Sequence, residues 1–150
     1  SRTMALRNFI TGPRQTALRP NEMLMAIHIP RDSGRGRSHF LKLGARKYLV
    51  ISIAMVAARV AVKDGVIAQA AVSVGACSAV AVRLAEVEAA LIGQPVQADT
   101  LSAISDPMVT MALAPIDDIR SDANYRLIAA AELVRRTLSP LLTEDHKEAA

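Results

Sequence analysis

The stretch Val50-Ile51-Ser52-Ile53-Ala54-Met55-Val56-Ala57-Ala58-Arg59-Val60-Ala61-Val62-Lys63-Asp64-Gly65-Val66-Ile67-Ala68-Gln69-Ala70-Ala71-Val72-Ser73-Val74 decides the fold. Two runs rich in β-branched residues, 50–62 and 66–74, flank Lys63-Asp64-Gly65, whose glycine accepts a positive φ, so the segment predicts a β-hairpin. In its second arm a strict alternation puts Ile67, Gln69, Ala71 and Ser73 on one face and Val66, Ala68, Ala70, Val72 and Val74 on the other. One face is apolar and must be covered. The apolar run from Tyr48 to Val62 is broken by Ser52 and Arg59 and falls short of the roughly 20 residues of a membrane-spanning helix, so a buried strand accounts for it better.

Downstream of the hairpin the period changes. Gly75 and Ser78 mark the close of the second arm, and Ala79 to Arg83 are expected to prolong it beyond a kink. Leu84, Val87, Leu91 and Ile92 then recur at helical spacing, and Gly93 with Pro95 supplies a stop. Residues 98–112 predict a second helix with Leu101, Ile104, Met108 and Met111 on one side, broken or kinked at Asp106-Pro107. Ser121 or Asp122 suits the N-cap of a third helix, whose stripe Leu127, Ala130, Ala131, Val134 and Leu138 forms a buried face. Ser139-Pro140 is expected to close it, and residues 143–150 form a polar, frayed tail.

Upstream, residues 1–30 predict an extended entry cut by Gly12-Pro13 and Arg19-Pro20-Asn21. The run Met23 to Ile29 ends at Pro30, which favours extended backbone before it, and is assigned as a strand. Arg31-Asp32-Ser33-Gly34-Arg35-Gly36-Arg37 has no apolar anchor and is a linker, placed at 31–38. From His39 a second unit begins, with Phe40, Leu41, Leu43 and Tyr48 as its apolar positions. Strands first and helices later imply an α+β domain over 39–142: an antiparallel sheet of three to four strands packed against about three helices, preceded by an extended segment.

Composition narrows the function. At 150 residues and 16.0 kDa the chain can bury a real core, and its 51% hydrophobic content with a mean hydropathy of +0.25 excludes global disorder. Aromatics make up only 3%, so that core is aliphatic. The single cysteine, Cys77, cannot form an internal disulfide, and no secretory pattern opens the sequence, which favours a reducing, cytoplasmic setting. Residues 1–47 hold ten Lys/Arg against two acidic residues, whereas residues 48–150 hold eight against twelve, so the positive charge gathers at the front. Such a front could face phosphates, nucleic acid or an acidic partner, but Phe40 and Tyr48 are too few aromatics for a single-strand binder.

Chemistry-bearing constellations are scarce. Gly34-Arg35-Gly36 neither follows a strand nor opens a helix, so it is no nucleotide fingerprint. His28, His39 and His146 lie apart from one another and from Cys77, leaving no metal-ligand spacing. Asp117-Asp118 is better suited to capping or to salt bridges with Arg120 and Arg126 than to acid–base work, and Cys77 is expected to be a buried small apolar side chain. No residue is assigned as catalytic. Lys42 and Arg46 follow the linker and lead into the buried strand, a place where fixed positive charge can face a cofactor or partner.

Four blocks carry a resemblance: Phe40-Leu41-Lys42-Leu43-Gly44-Ala45-Arg46 followed by Ile51-Ser52-Ile53-Ala54, Val82 to Gly93, Pro115 to Arg120, and Tyr125-Arg126. Over residues 40–138 they resemble the C-terminal domain of the FAD-binding medium subunit of molybdenum hydroxylases, the xanthine dehydrogenase and carbon monoxide dehydrogenase family. Residues 2–30, with Phe9, Gly12, Thr16, Leu18, Glu22 and Pro30, are similar to the closing segment of the same subunit's FAD domain. The resemblance implies an antiparallel sheet with helices, and a role in passing electrons from iron–sulfur clusters through FAD to an acceptor. It further implies three partners: the upstream FAD-binding domain, an iron–sulfur subunit and a molybdopterin subunit. Relatives place the Phe-x-Lys-x-x-x-Arg block near the flavin ring, which singles out Phe40, Lys42 and Arg46 as cofactor-binding residues. A cation there can stabilise an anionic reduced flavin. The family's Gly-rich loops lie upstream of the matching blocks, so the chain by itself is expected to hold little or no FAD. The rival expectation is a purely structural subunit-interaction domain.

Overall fold

The computed structural model describes residues 1–47 and 49–143; Tyr48 and the tail 144–150 lie outside the described residues. Contacts divide the chain into two units, Ser1–Arg35 and Gly36–Ala150.

The first unit is built from local elements: α1 (Leu6–Phe9), then β1 (Ile10–Gly12) paired antiparallel with β2 (Gln15–Thr16). Glu22 ties it together, since its carboxylate accepts Arg2 Nε (2.8 Å), Arg2 Nη2 (2.7 Å) and the Arg19 N–H (2.8 Å). Met23 to Ile29 correct the expectation of a strand. They belong to no helix or strand, no described residue pairs with them in a ladder, and Met23, Met25, Ile27 and Ile29 are exposed. A strand requires a ladder partner as well as the right composition.

In the second unit β3 (Arg37–Leu43), β4 (Ala54–Lys63), β5 (Val66–Gly75) and β6 (Val82–Arg83) form one sheet in that order, antiparallel and four-stranded within the expected range of three to four. Lys63 pairs with Val66, so the hairpin turn is the two residues Asp64-Gly65, with φ +53° and +77°. Positive φ at both positions is the type I′ geometry that matches strand twist. The alternation expected for β5 holds only in part: Ala61 pairs with Gln69 but Val62 with Ile67, leaving Ala68 as a bulge. The extra residue turns Ile67 to the same buried face as Ala70, Val72 and Val74. Residues 79–83 are corrected as well, because the chain reverses after Ala76 (φ +66°) and Val82–Arg83 returns antiparallel to β5.

Glu88, on α2 (Ala85–Leu91), secures that edge. Its carboxylate accepts the Val72 N–H (2.9 Å) and two bonds from the Arg83 guanidinium (2.6 and 2.8 Å), completing the β5 ladder where β6 stops. Val87 and Leu91 face the core, whereas Ile92, expected on the same stripe, is exposed once the helix has ended. Residues 98–112 form a 3-10 turn, Ala98–Ala103, and a separate helix α3 (Asp106–Thr110) with Pro107 in its first turn, where a missing N–H costs nothing.

The last helix, α4 (Ala123–Thr143), packs on the inner face of β3 and β4. Ala130, Ala131, Val134 and Leu138 are buried as expected. Pro140, however, lies inside the helix instead of closing it. The following turn buries Leu141 and Leu142, and two leucines at roughly 1.5–3 kcal/mol each offset the roughly 3 kcal/mol of an interior proline. Helices thus cover one sheet face, and the core lies between them.

Candidate functional site

Alternation along β3 sends Arg37, His39, Leu41 and Leu43 inward and Ser38, Phe40 and Lys42 outward. Phe40 lies opposite Ala57 and Lys42 opposite Met55. With so small a neighbour the Phe40 ring stays 55% exposed, beside a shallow depression of about 540 Å³ that also touches Ala57, Ala71, Arg59 and Arg83.

The β3–β4 connection leaves at Gly44 and returns at Ile53, whose N–H donates to the Leu43 carbonyl (2.8 Å) and closes the neck of the loop. A Cβ at Gly44 would run into the Val50 side chain, which would have to shift to admit it. Lys42 Nζ donates to the Val50 carbonyl (2.6 Å) and Arg46 Nη2, in a longer contact, to the Leu49 carbonyl (3.4 Å). Two cations therefore gather at adjacent carbonyls of one loop. Leu49 is 93% exposed, and Ile51 is exposed beside it.

Beneath this loop lies Arg126, whose ion pair with the Asp117-Asp118 segment was expected but whose burial and carbonyl contacts sequence reasoning missed. Arg126 is 3% exposed, and its Nη1 donates to the carbonyls of Ile53 (2.6 Å) and Ala76 (3.1 Å) while Nη2 meets Asp118 Oδ1 (2.8 Å). The available signal was its place one helical turn before Ala130 on the buried stripe. Asp117 and Asp118 have the structural roles expected of them: Asp117 Oδ1 accepts the Ala123 N–H (2.5 Å), and Asp118 bonds Arg120 and Arg126. Asp122 caps α4 through the Tyr125 N–H (2.7 Å). Cys77 is buried, its Sγ 3.8 Å from the Ile53 and Arg126 carbonyls, and burial raises its thiol pKa despite the Arg126 charge.

The backbone N–H of Arg120, then the side chains of Arg120 and Arg126, lower the Asp118 carboxyl from 3.8 to about 2. A depressed folded-state pKa contributes stability that is fully present above the ordinary value and is lost as pH falls through about 2. Urea midpoints taken from pH 6 to pH 2 are expected to fall less steeply in Asp118→Asn than in the parent. Equal slopes would exclude this carboxylate as a source of the acid sensitivity.

Phe40, Lys42 and Arg46 offer an aromatic edge and two positive groups, which suits one side of a planar, electron-rich ring. Gly34-Arg35-Gly36 does not suit a pyrophosphate, since it leads into a strand and not a helix. Three or more His, Cys, Asp or Glu side chains converge nowhere among the described residues, and no described helix is long and apolar enough to cross a membrane.

Comparison with known proteins matches residues 39–141 to the CO dehydrogenase flavoprotein C-terminal domain family. The chain is 26% identical over 140 residues to the putative xanthine dehydrogenase FAD-binding subunit XdhB of Escherichia coli (strain K12), covering 92% of this chain and 47% of that protein. It is 29% identical over 138 residues to the nicotine 6-hydroxylase medium subunit of Paenarthrobacter nicotinovorans, covering 91% and 47%. Among solved structures, reconstituted CO dehydrogenase from Oligotropha carboxidovorans superimposes with a TM-score of 0.75 at 25% identity, covering 90% of this chain and 46% of that one. The chain spans about half the length of the curated relatives it matches.

Proposed function

The chain belongs to the CO dehydrogenase flavoprotein C-terminal domain family, and on that premise we propose that it is the C-terminal part of the flavoprotein subunit of a molybdenum hydroxylase. It helps to complete the FAD and electron-acceptor site and docks to the subunits that carry the iron–sulfur clusters and the molybdopterin, in electron transfer from those clusters to FAD. Substrate choice is assigned to the molybdopterin polypeptide.

The observation that carries this reading is the convergence of Lys42 and Arg46 on the neighbouring carbonyls of Leu49 and Val50, with Phe40 on the same outward strand face as Lys42. FAD, when bound, supplies the redox chemistry; Lys42 and Arg46 would hold electronegative ring atoms, and Phe40 would border the ring. The pyrophosphate would be gripped by an upstream FAD-binding domain. Two further features support a missing half: Met23 to Ile29 have strand composition without a ladder, and Met4, Leu6, Phe9 and Met25 line a concavity of about 760 Å³ within the first unit. For docking, Leu49, Ile51 and Ile119 expose large apolar surface, Ile119 to 98%.

The test combines this chain with the FAD-binding half of such a subunit and follows flavin absorbance through gel filtration. Lys42→Ala with Arg46→Ala is expected to weaken FAD binding by roughly tenfold or more, the worth of one charge-assisted hydrogen bond. A second reading, a purely structural interaction domain, is favoured by the fact that both cations already satisfy carbonyls of their own loop. It expects unchanged flavin affinity in the same double variant.

A further inference from the structure

We propose that Arg126 is the positioning residue of the β3–β4 loop: from α4 it fixes the neck through which Lys42 and Arg46 are presented. That these cations meet a flavin rests on the function proposed above; that Arg126 holds their loop does not.

The neck is the Leu43–Ile53 pair, closed by the Ile53 N–H on the Leu43 carbonyl (2.8 Å). Ile53 precedes the first residue of β4, and its own carbonyl is taken by Arg126 Nη1 at 2.6 Å. The same nitrogen holds the Ala76 carbonyl (3.1 Å), just past the end of β5, where a positive φ has turned the chain out of the sheet. Asp118 fixes the other arm of the guanidinium and is itself held by the N–H groups of Arg120 (2.8 Å) and Ser121 (3.2 Å). One side chain thus joins α4 to segments 73 and 50 residues away in sequence, at the strand ends where ladder bonds run out.

A buried cation is a costly way to obtain packing, because an apolar side chain of similar volume usually serves stability as well or better. The Arg126 Nε, also buried, has no hydrogen-bond partner among the described residues, which adds to the desolvation cost. What the guanidinium supplies and a leucine does not is a planar fork that satisfies two carbonyls and a carboxylate together. Lysine would keep the charge but cannot reproduce that fork. Lys42 is adjacent to the neck residue Leu43, and its ammonium bonds Val50, three residues before Ile53, so displacement of the neck moves both ends of the Lys42–Val50 contact.

The experiment uses the flavoprotein subunit carrying both the FAD-binding half and this chain, with Arg126→Lys and, should that variant fail to fold, Asp118→Asn. Amide hydrogen exchange and the flavin midpoint potential are measured. In a folded variant the Ile53 amide is expected to exchange at least tenfold faster while the Val72 amide, held by Glu88 on the side of β5 away from the neck, changes less than twofold. The potential is expected to shift in the direction produced by Lys42→Ala, and Arg126→Lys added to Lys42→Ala should shift it no further. Unchanged exchange at Ile53, or equal acceleration at Ile53 and Val72, overturns the proposal. A potential moved by Lys42→Ala but not by Arg126→Lys overturns the link between them. Faster exchange at Ile53 alone, with a potential indifferent to both changes, supports the hold on the loop and refutes the flavin role of Lys42.

Discussion

Leu138→Ala is expected to lower the unfolding free energy by about 3–5 kcal/mol, the upper range for a leucine deleted from a packed core. Leu138 is fully buried on the sheet-facing side of α4, among the strands and helices that form the single core cluster. Removing three carbons forfeits their burial and leaves a cavity that β4, paired on both sides, and a helix of 21 residues cannot readily collapse. Ile128, exposed on the same helix, is the control, and Ile128→Ala is expected to change stability by no more than about 0.5 kcal/mol. Urea denaturation of both variants measures the contrast. Equal effects at the two positions would mean that α4 does not pack on the sheet as described.

Gly36→Ala is expected to cost about 2–4 kcal/mol, whereas Gly34→Ala, two residues away, should be nearly silent. Gly36 has φ +92°, and a Cβ built on it would overlap the Val60 carbonyl; Gly34 has open space around it. The next residue, Arg37, opens the β3–β4 ladder opposite Val60, so the added methyl would force the first pairs of that ladder apart. The urea midpoint should therefore fall in Gly36→Ala with an unchanged slope, the sign of lost stability without a change of mechanism. A neutral result would show that the start of β3 can move away from β4 without loss.

Much of this architecture was legible because its signals are local. The β-branched arms, the turn within Lys63-Asp64-Gly65 and the change of period after Arg83 each state their structure within a few residues, although Lys63 still pairs and residues 50–53 of the first arm lie outside β4. The bulge at Ala68 was not legible, because Ala68 and Ala70 are alike and only an aligned partner strand shows which of them is extra. Ala76 gives no notice of a reversal, being neither glycine nor asparagine. Pro140 misled for a different reason: its cost is local, while the burial of Leu141 and Leu142 that outweighs it is tertiary. At the candidate site, the outward placement of Phe40 and Lys42 follows from alternation once β3 is recognised. The pairing of Arg126 with Asp118 was legible from their proximity in sequence, but its burial escaped because an arginine on a helix is ordinarily a surface charge, and only the distant carbonyls of Ile53 and Ala76 explain it.

In the four-stranded sheet, β3 has β4 as its one neighbour among the described residues, so alternate residues of this seven-residue strand turn their main-chain groups outward with no ladder on that side. Such a border invites another chain to add itself, and sheets commonly guard against this with lysine. Lys42 stands on that border near its end. The ammonium proposed above for cofactor contact thus also stands where a charge discourages addition of a like strand to the sheet border.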